Sequence, residues 1–359
     1  MSRVGSDIRF MGGTTMWGSG TEILETLHAQ GLDGVNIRAM YDLSPTLDRG
    51  ELDDFRQAAL DLGMYVEMGI GKINPYMTAE LPAVRALGNG DYLAGMVRMI
   101  ETAADMGWST LWTACAGVKD YPAPFNTDRY RAEAPWEDQL RATSRLVSML
   151  LPALRQVGAT LAIETHEEIT TFELVRLLEE LDDPAIGVCL DPGNLAARGE
   201  VPDEGIRRVA PYVVSTQLRD VVLFPSEQGV VRYLSPVGHG LLDWTEVLAL
   251  LLEHRPALNL TIEAMGGSRG RMEVPFEDPF WLSVQPDFTD ADRAGLRALA
   301  EQHVRRVRAG ESEPTEVLDR IDPDHRSAHD RFVAESARHL REVLARLRSG
   351  ADDSKGEAS

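Results

Sequence analysis

The sequence predicts an α/β fold: a (β/α)8 barrel with loop insertions and a C-terminal helical extension. Two observations carry that prediction. The first is a recurring local pattern in which an amphipathic helix ends, a glycine follows, and a short apolar run comes next. Gly31 precedes Val35–Arg38, Gly63 precedes Met64–Met68, Gly107 precedes Thr110–Ala114, and Gly158 precedes Thr160–Glu164. Glycine suits the left-handed position that ends a helix, where a Cβ would be penalised. The runs lack period-2 alternation, as strands covered on both faces do. The second observation is the number of such runs, eight, with helical patterns between them. That is the rhythm of a closed parallel barrel.

Taken in order, the strands are predicted near Ile8–Met11, Val35–Arg38, Tyr65–Ile70, Thr110–Ala114, Thr160–Ile163, Ile186–Leu190, Val213–Leu218 and Asn259–Glu263. The clearest helices are Thr171–Leu181, with Phe172, Val175 and Leu178 at helical spacing, and Asp243–His254. A barrel needs roughly 250 residues and the chain has 359, so the surplus is assigned to insertions. These are 72–90 after the third strand, 121–136, rich in Pro, Asp and Arg, and 272–289, which carries Phe276, Phe280, Trp281 and Phe288. The barrel is expected over residues 1–310 and the helical extension over 311–349, where Arg331–Arg348 is amphipathic. The polar tail 350–359 is predicted to be disordered.

The composition narrows the function. Thirty-six basic residues face 57 acidic ones, a net charge of −21. Such a field repels phosphate backbones and anionic lipid, so nucleic acid and membrane partners are not expected. No apolar run approaches the ~20 residues of a bilayer span, and the N-terminus lacks the basic and apolar regions of a secretory signal. Cys115 and Cys189 each sit in an apolar run. They read as buried, reduced thiols of a cytoplasmic protein.

In an α/β barrel the working residues stand at the C-terminal ends of strands. There the chain places Glu164-Thr-His166 after the fifth strand and Asp191-Pro-Gly-Asn194 after the sixth. Gln217-Leu-Arg219-Asp220 follows the seventh, and Glu263 the eighth. Carboxylates gathered at one mouth repel each other unless they share a cation. Oxygen ligands suit Mn²⁺ or Mg²⁺. Each residue also has a plainer reading. Asp191–Asn194 is a set of turn formers, Glu164 can cap a helix, Glu263 can pair with an arginine, and Arg219 with Asp220 can be a structural ion pair. Arg38 ends the second strand, where it can meet a ligand or pair with Asp42. Trp17, Trp112 and Tyr76 can wall a sugar face or fill the mouth. Lys72, one of three lysines, is a candidate substrate contact.

These stretches resemble a family. Ile163–Glu168 (IETHEE), Gly187–Asn194 (GVCLDPGN), Val213–Asp220 (VVSTQLRD) and Pro236–Trp244 (PVGHGLLDW) are similar to the sugar phosphate isomerase/epimerase group of xylose isomerase-like TIM barrels. The resemblance implies a metal set of Glu164, Asp191, Gln217 and Glu263 holding Mn²⁺, or Mg²⁺ or Co²⁺. Gln217 stands where the family has histidine; an amide oxygen is a harder ligand and favours Mn²⁺ or Mg²⁺ over Zn²⁺. His239 stands where the family often has glutamate and is a candidate to face the substrate. The resemblance further implies that Glu164 and Glu263 exchange the α-proton of a keto-sugar while His166 orients a hydroxyl, giving isomerisation or epimerisation. Arg219, His239, Arg38, Trp112 and Lys72 are the candidate substrate contacts. The same enolate with a β leaving group makes a lyase, as in the C-glycoside deglycosidases and keto-inositol dehydratases; the aromatic insertion would then cover an aglycone. An apurinic-site endonuclease is disfavoured by the charge and the scattered histidines. A non-catalytic barrel is invited by Gln217 alone. The expected partners are a small carbohydrate, further copies of the chain in a homo-oligomer, and a small partner subunit.

Overall fold

The structure is a computed structural model that describes residues 2–8, 19–77, 81–116, 125, 127–265 and 267–356. Seven strands come first: β1 (Val4–Ile8), β2 (Gly34–Ile37), β3 (Tyr65–Lys72), β4 (Thr110–Ala114), β5 (Thr160–Glu164), β6 (Ile186–Leu190) and β7 (Val213–Thr216). Four more follow: β8 (Asp220–Ser226), β9 (Gly229–Ser235), β10 (Leu260–Ile262) and β11 (Met272–Val274). Eight form one parallel sheet in the order β10-β1-β2-β3-β4-β5-β6-β7. A parallel bridge between Leu218 and Ile262 brings β10 back to the segment after β7. The (β/α)8 barrel is therefore present. Gly31, Gly63, Gly107 and Gly158 all have positive φ (78°, 66°, 79° and 68°), which is the conformation their helix-ending role requires.

The strands bury both faces. Outside, they pack against helices such as Gly20–Ala29, which buries Ile23, Leu24 and Leu27, and Trp136–Val157, which buries Val147, Leu150 and Leu154. Each such side chain contributes on the order of 2 kcal/mol. The terminal helix His325–Gly356 belongs to the same core: Phe332, Val333, Leu340 and Val343 are buried within it. It packs against β1, β10 and the helix Trp244–His254, so it completes the ring of helices instead of standing apart. Its backbone also runs past residue 349 into the tail predicted to be disordered. No described helix is long and apolar enough to cross a membrane.

Three expectations are corrected. The first strand is Val4–Ile8, not Ile8–Met11; residues 9–11 and Trp17 lie outside the described residues. Ser6 and Asp7 hid it, because they are polar yet buried at 0% and 2% exposure. The hairpin β8–β9, which pairs Asp220 with Ser235 through to Ser226 with Gly229, was not predicted. The insertion 272–289 packs over the side of the barrel and does not offer Phe276 and Trp281 to cover an aglycone. Its β11 pairs antiparallel with β9, and Phe276 and Trp281 are buried against Val221, Leu223 and Val230 of the hairpin. The helix Asp290–Arg308 adds Leu296 and Ala300 to that cluster.

β2 and β3 approach closely at Gly69. A Cβ there would stand 1.9 Å from the carbonyl oxygen of Arg38 and 3.0 Å from Trp112 Cε3. Backbone meeting backbone cannot be relieved by a rotamer change. Gly69→Ala is therefore expected to cost about 2–3 kcal/mol, read as a lower urea midpoint with an unchanged slope.

Candidate metal centre

Glu164 closes β5, Asp191 follows β6 and Glu263 follows β10. Parallel strands deliver all three side chains to one end of the barrel. Their nearest ligand oxygens lie within 4.8 Å of one another, and all three residues are fully buried. Asp191 also caps the short helix Pro192–Leu195, accepting a hydrogen bond from the Gly193 N–H at 2.9 Å. Carboxylates this close in a dry setting need positive charge beside them.

Two arginines supply part of it. Arg219 pairs with Asp191 and lies 3.0 Å from Glu263 Oε2. It also donates to Asn194 Oδ1 at 3.1 Å and to Met265 Sδ at 3.4 Å. Arg38 Nε donates to Asp7 Oδ2 at 2.7 Å. Its Nη2 reaches Glu263 Oε2 at 2.5 Å and donates to Gln217 Oε1 at 3.1 Å, and its Nη1 is 4.0 Å from Glu164 Oε2. Burial works against both guanidinium charges. Glu263, Asp7 and Glu164 nonetheless raise Arg38 above its ordinary pKa, and Asp191 and Glu263 raise Arg219.

Asp7, Glu164, Asp191 and Glu263 thus outnumber the two guanidiniums that face them. The surplus shows in Asp191: burial pushes its pKa up to about 7, Arg219 offsets part of this, and Glu263 adds to it. A divalent ion would relieve that excess. The donors fit such an ion: Glu164 Oε2 is buried with no hydrogen-bond partner among the described residues, and Gln217 adds a buried amide oxygen. An all-oxygen set suits Mn²⁺ or Mg²⁺.

The other candidates sort as follows. His166 stands at the rim, its Nδ1 hydrogen-bonded to the Glu168 carboxylate. Burial lowers its pKa, but Glu168 and Glu164 raise it further, so the net shift is upward. Trp112, buried on β4, carries the Arg38 guanidinium 4.8 Å from its ring centre and Lys72 Nζ at 4.1 Å. Lys72 gets there because the β3–β4 register shifts between Gly69 and Gly71, re-aiming the end of the strand. Arg38 pairs with Asp7, not Asp42. Arg219 pairs with the acidic cluster, not Asp220, whose carboxylate instead accepts from Trp244 Nε1 at 2.7 Å and the Gly238 N–H at 3.1 Å. His239 makes no contact with the cluster among the described residues; it is half-exposed, with Nε2 3.8 Å from Glu335 of the terminal helix. Its loop is tied down by Asp220, which turns it toward that helix. Tyr76 is largely exposed.

Sequence reasoning missed Asp7, Asn194 and Arg232 as parts of the site. Asn194 is sorted by charge. Its Oδ1 accepts from Arg219 and, at 3.4 Å, from Arg232, while its Nδ2 donates to Asp191 Oδ2 at 2.7 Å and Glu164 Oε1 at 3.4 Å. Arg232 comes from β9, is buried, and donates to Glu167 Oε1 at 2.5 Å. An arginine inside the apolar run Val230–Leu234 was the available signal.

A family model described as xylose isomerase-like TIM barrel matches residues 24–306. A 3-oxo-isoapionate decarboxylase of Pectobacterium atrosepticum is 29% identical over 227 residues, spanning 62% of this chain and 70% of that protein. Among solved structures, the apo 3-keto-D-glucoside 4-epimerase YcjR from E. coli superposes with a TM-score of 0.53 at 13% identity, covering 84% of this chain and 100% of its own. A xylose isomerase-like TIM barrel protein from Mycobacterium smegmatis in complex with magnesium gives 0.54 at 16% identity, covering 84% and 97%. At these identities the structural likeness is one of fold.

Two outcomes test the charge balance. Mn²⁺ at about 100 times its Kd should stabilise the chelator-treated protein by about 2.7 kcal/mol, read as a raised denaturation midpoint. The second concerns Glu167. Burial pushes its pKa up, but Arg232 pulls it from 4.5 down to about 2. Its contribution to stability is therefore present above 4.5 and lost as pH falls toward about 2. Glu167→Gln should flatten the acid limb of stability against pH; an unchanged limb would show that the pair carries none of it.

Proposed function

The chain belongs to the xylose isomerase-like TIM barrel family, and on that footing we propose that it is a divalent-metal-dependent enzyme of the isomerase/epimerase type acting on a keto-sugar. The observation that supports this reading is the buried Glu164–Asp191–Glu263 cluster, whose ligand oxygens lie within 4.8 Å of one another. Glu164, Asp191, Gln217 and Glu263 would hold the ion, which when bound polarises a carbonyl and favours negative charge next to it. The remaining work falls to the chain. Glu164 and Glu263 approach from strands separated by β6 and β7. One removes the proton α to the carbonyl and the other returns one. Arg219 has Asn194 Oδ1 and Met265 Sδ as partners outside the ligand set, so it stays beside the site when the acids turn to the ion, and its charge favours a developing oxyanion. His166, oriented by Glu168, presents its other ring nitrogen to a substrate hydroxyl. Return of the proton to the opposite face gives an epimer; return to the neighbouring carbon gives an isomer.

A second reading is favoured by the 29% identity with a 3-oxo-isoapionate decarboxylase. In a β-keto acid the bond to the carboxylate breaks, its electron pair enters the same enolate, CO₂ departs, and the acid returns a proton to carbon. The β-elimination outcome draws no support from the aromatic insertion, since Phe276 and Trp281 are buried in the accessory cluster.

Glu164→Gln and Glu263→Gln are each expected to lower kcat by about 10²–10⁴-fold. Full activity in either variant removes that residue from proton transfer. Turnover in D₂O separates the readings. Deuterium at the α-carbon with all carbons retained marks epimerisation or isomerisation, and release of CO₂ marks decarboxylation. Product without solvent deuterium would instead favour an internal hydride shift.

A further inference from the structure

We infer that Arg38 is a built-in counter-ion of the metal-free site, that the metal displaces its Nη2, and that the released guanidinium then receives a carboxylate, so that the substrate is a keto-sugar acid. The inference rests on the metal-dependent reading above and deepens it. Nη2 of Arg38 is 2.5 Å from Glu263 Oε2 and 3.1 Å from Gln217 Oε1. Those two oxygens belong to the proposed ligand set. A metal needs their lone pairs at about 2.0–2.6 Å, and one nitrogen now engages both of them. A cation at the centre and a guanidinium nitrogen between its ligands compete for the same space and the same charge.

The displaced group is still tethered. Asp7 holds Nε at 2.7 Å, and the Trp112 ring lies 4.8 Å from the guanidinium carbon. Asp7 and the indole thus keep the group beside the site when Nη2 gives up its contacts. The anchored guanidinium then offers a planar pair of donors at the mouth. A carboxylate meets such a fork with two parallel hydrogen bonds, which a hydroxyl cannot. Lys72 on the same indole adds a second cation beside it.

The test begins with Mn²⁺ titrated into chelator-treated wild-type protein, Arg38→Met and Arg38→Lys, followed by electron spin resonance of free Mn²⁺. Arg38→Met should bind at least tenfold more tightly than wild type, about 1.4 kcal/mol. Arg38→Lys, which keeps a charge opposite Asp7 but lacks the second prong, should fall between and guards against misfolding of the first variant. Equal or weaker binding by both variants overturns the competition while leaving the metal site standing. No binding by any of the three proteins would sink the metal reading itself and the inference with it. The Mn²⁺-loaded proteins are then compared for D-gluconate against D-glucitol by calorimetry. Wild type should prefer gluconate by at least tenfold, and Arg38→Met should lose most of that preference. A preference that is absent in wild type, or that persists in the variant, overturns the carboxylate assignment.

Discussion

Three carboxylates share one dry pocket at the mouth of the barrel, and the surrounding structure is arranged to tolerate them. Placing like charges a few ångströms apart away from water is costly. The cost is offset by Arg38 and Arg219, which reach into the same pocket from β2 and from the segment after β7. The acids still outnumber the guanidiniums. Burial pushes the Asp191 pKa up to about 7, and Glu164 Oε2 has no hydrogen-bond partner among the described residues. A divalent ion would relieve that imbalance.

The accessory sheet gives the arrangement its rigidity. β8 and β9 leave the barrel directly after Arg219, and β9 returns Arg232 to the back of the site. Arg219 and Arg232 both present donors to Asn194 Oδ1, which forces the amide to turn its N–H groups toward the acids. The insertion 272–289 and the helix Asp290–Arg308 bury the outer face of that sheet. Segments remote from the chemistry thereby hold one amide in one orientation. The opposite wall is built differently: Arg38 lies on the Trp112 ring and is anchored at Asp7.

Much of the fold was legible, because helix-ending glycines and doubly covered strands leave local marks in sequence. The four helix–glycine–strand repeats occur as predicted, and β4 and β6 match to the residue. Two of the misses trace to polar residues at buried positions. Ser6 and Asp7 masked β1, and Arg232 interrupted the apolar rhythm of β9. A reading based on hydrophobic runs discards the positions where a barrel interior hosts chemistry. The same limit applied to side-chain partners. Arg38 was given Asp42 as a possible mate and Arg219 was given Asp220, both near in sequence, whereas the structure assigns them Asp7, Glu263 and Asp191 from other strands.

Residue order alone indicated the eight parallel strands of the barrel and the ends at which Glu164, Asp191, Gln217 and Glu263 stand, because backbone propensity and periodicity are local properties. It could not settle the charge state of the pocket. That depends on distances between side chains separated by up to 225 positions, as with Arg38 and Glu263. Electrostatic energy follows distance through space and the dryness of the surroundings, and both come into existence only when the ring of strands closes.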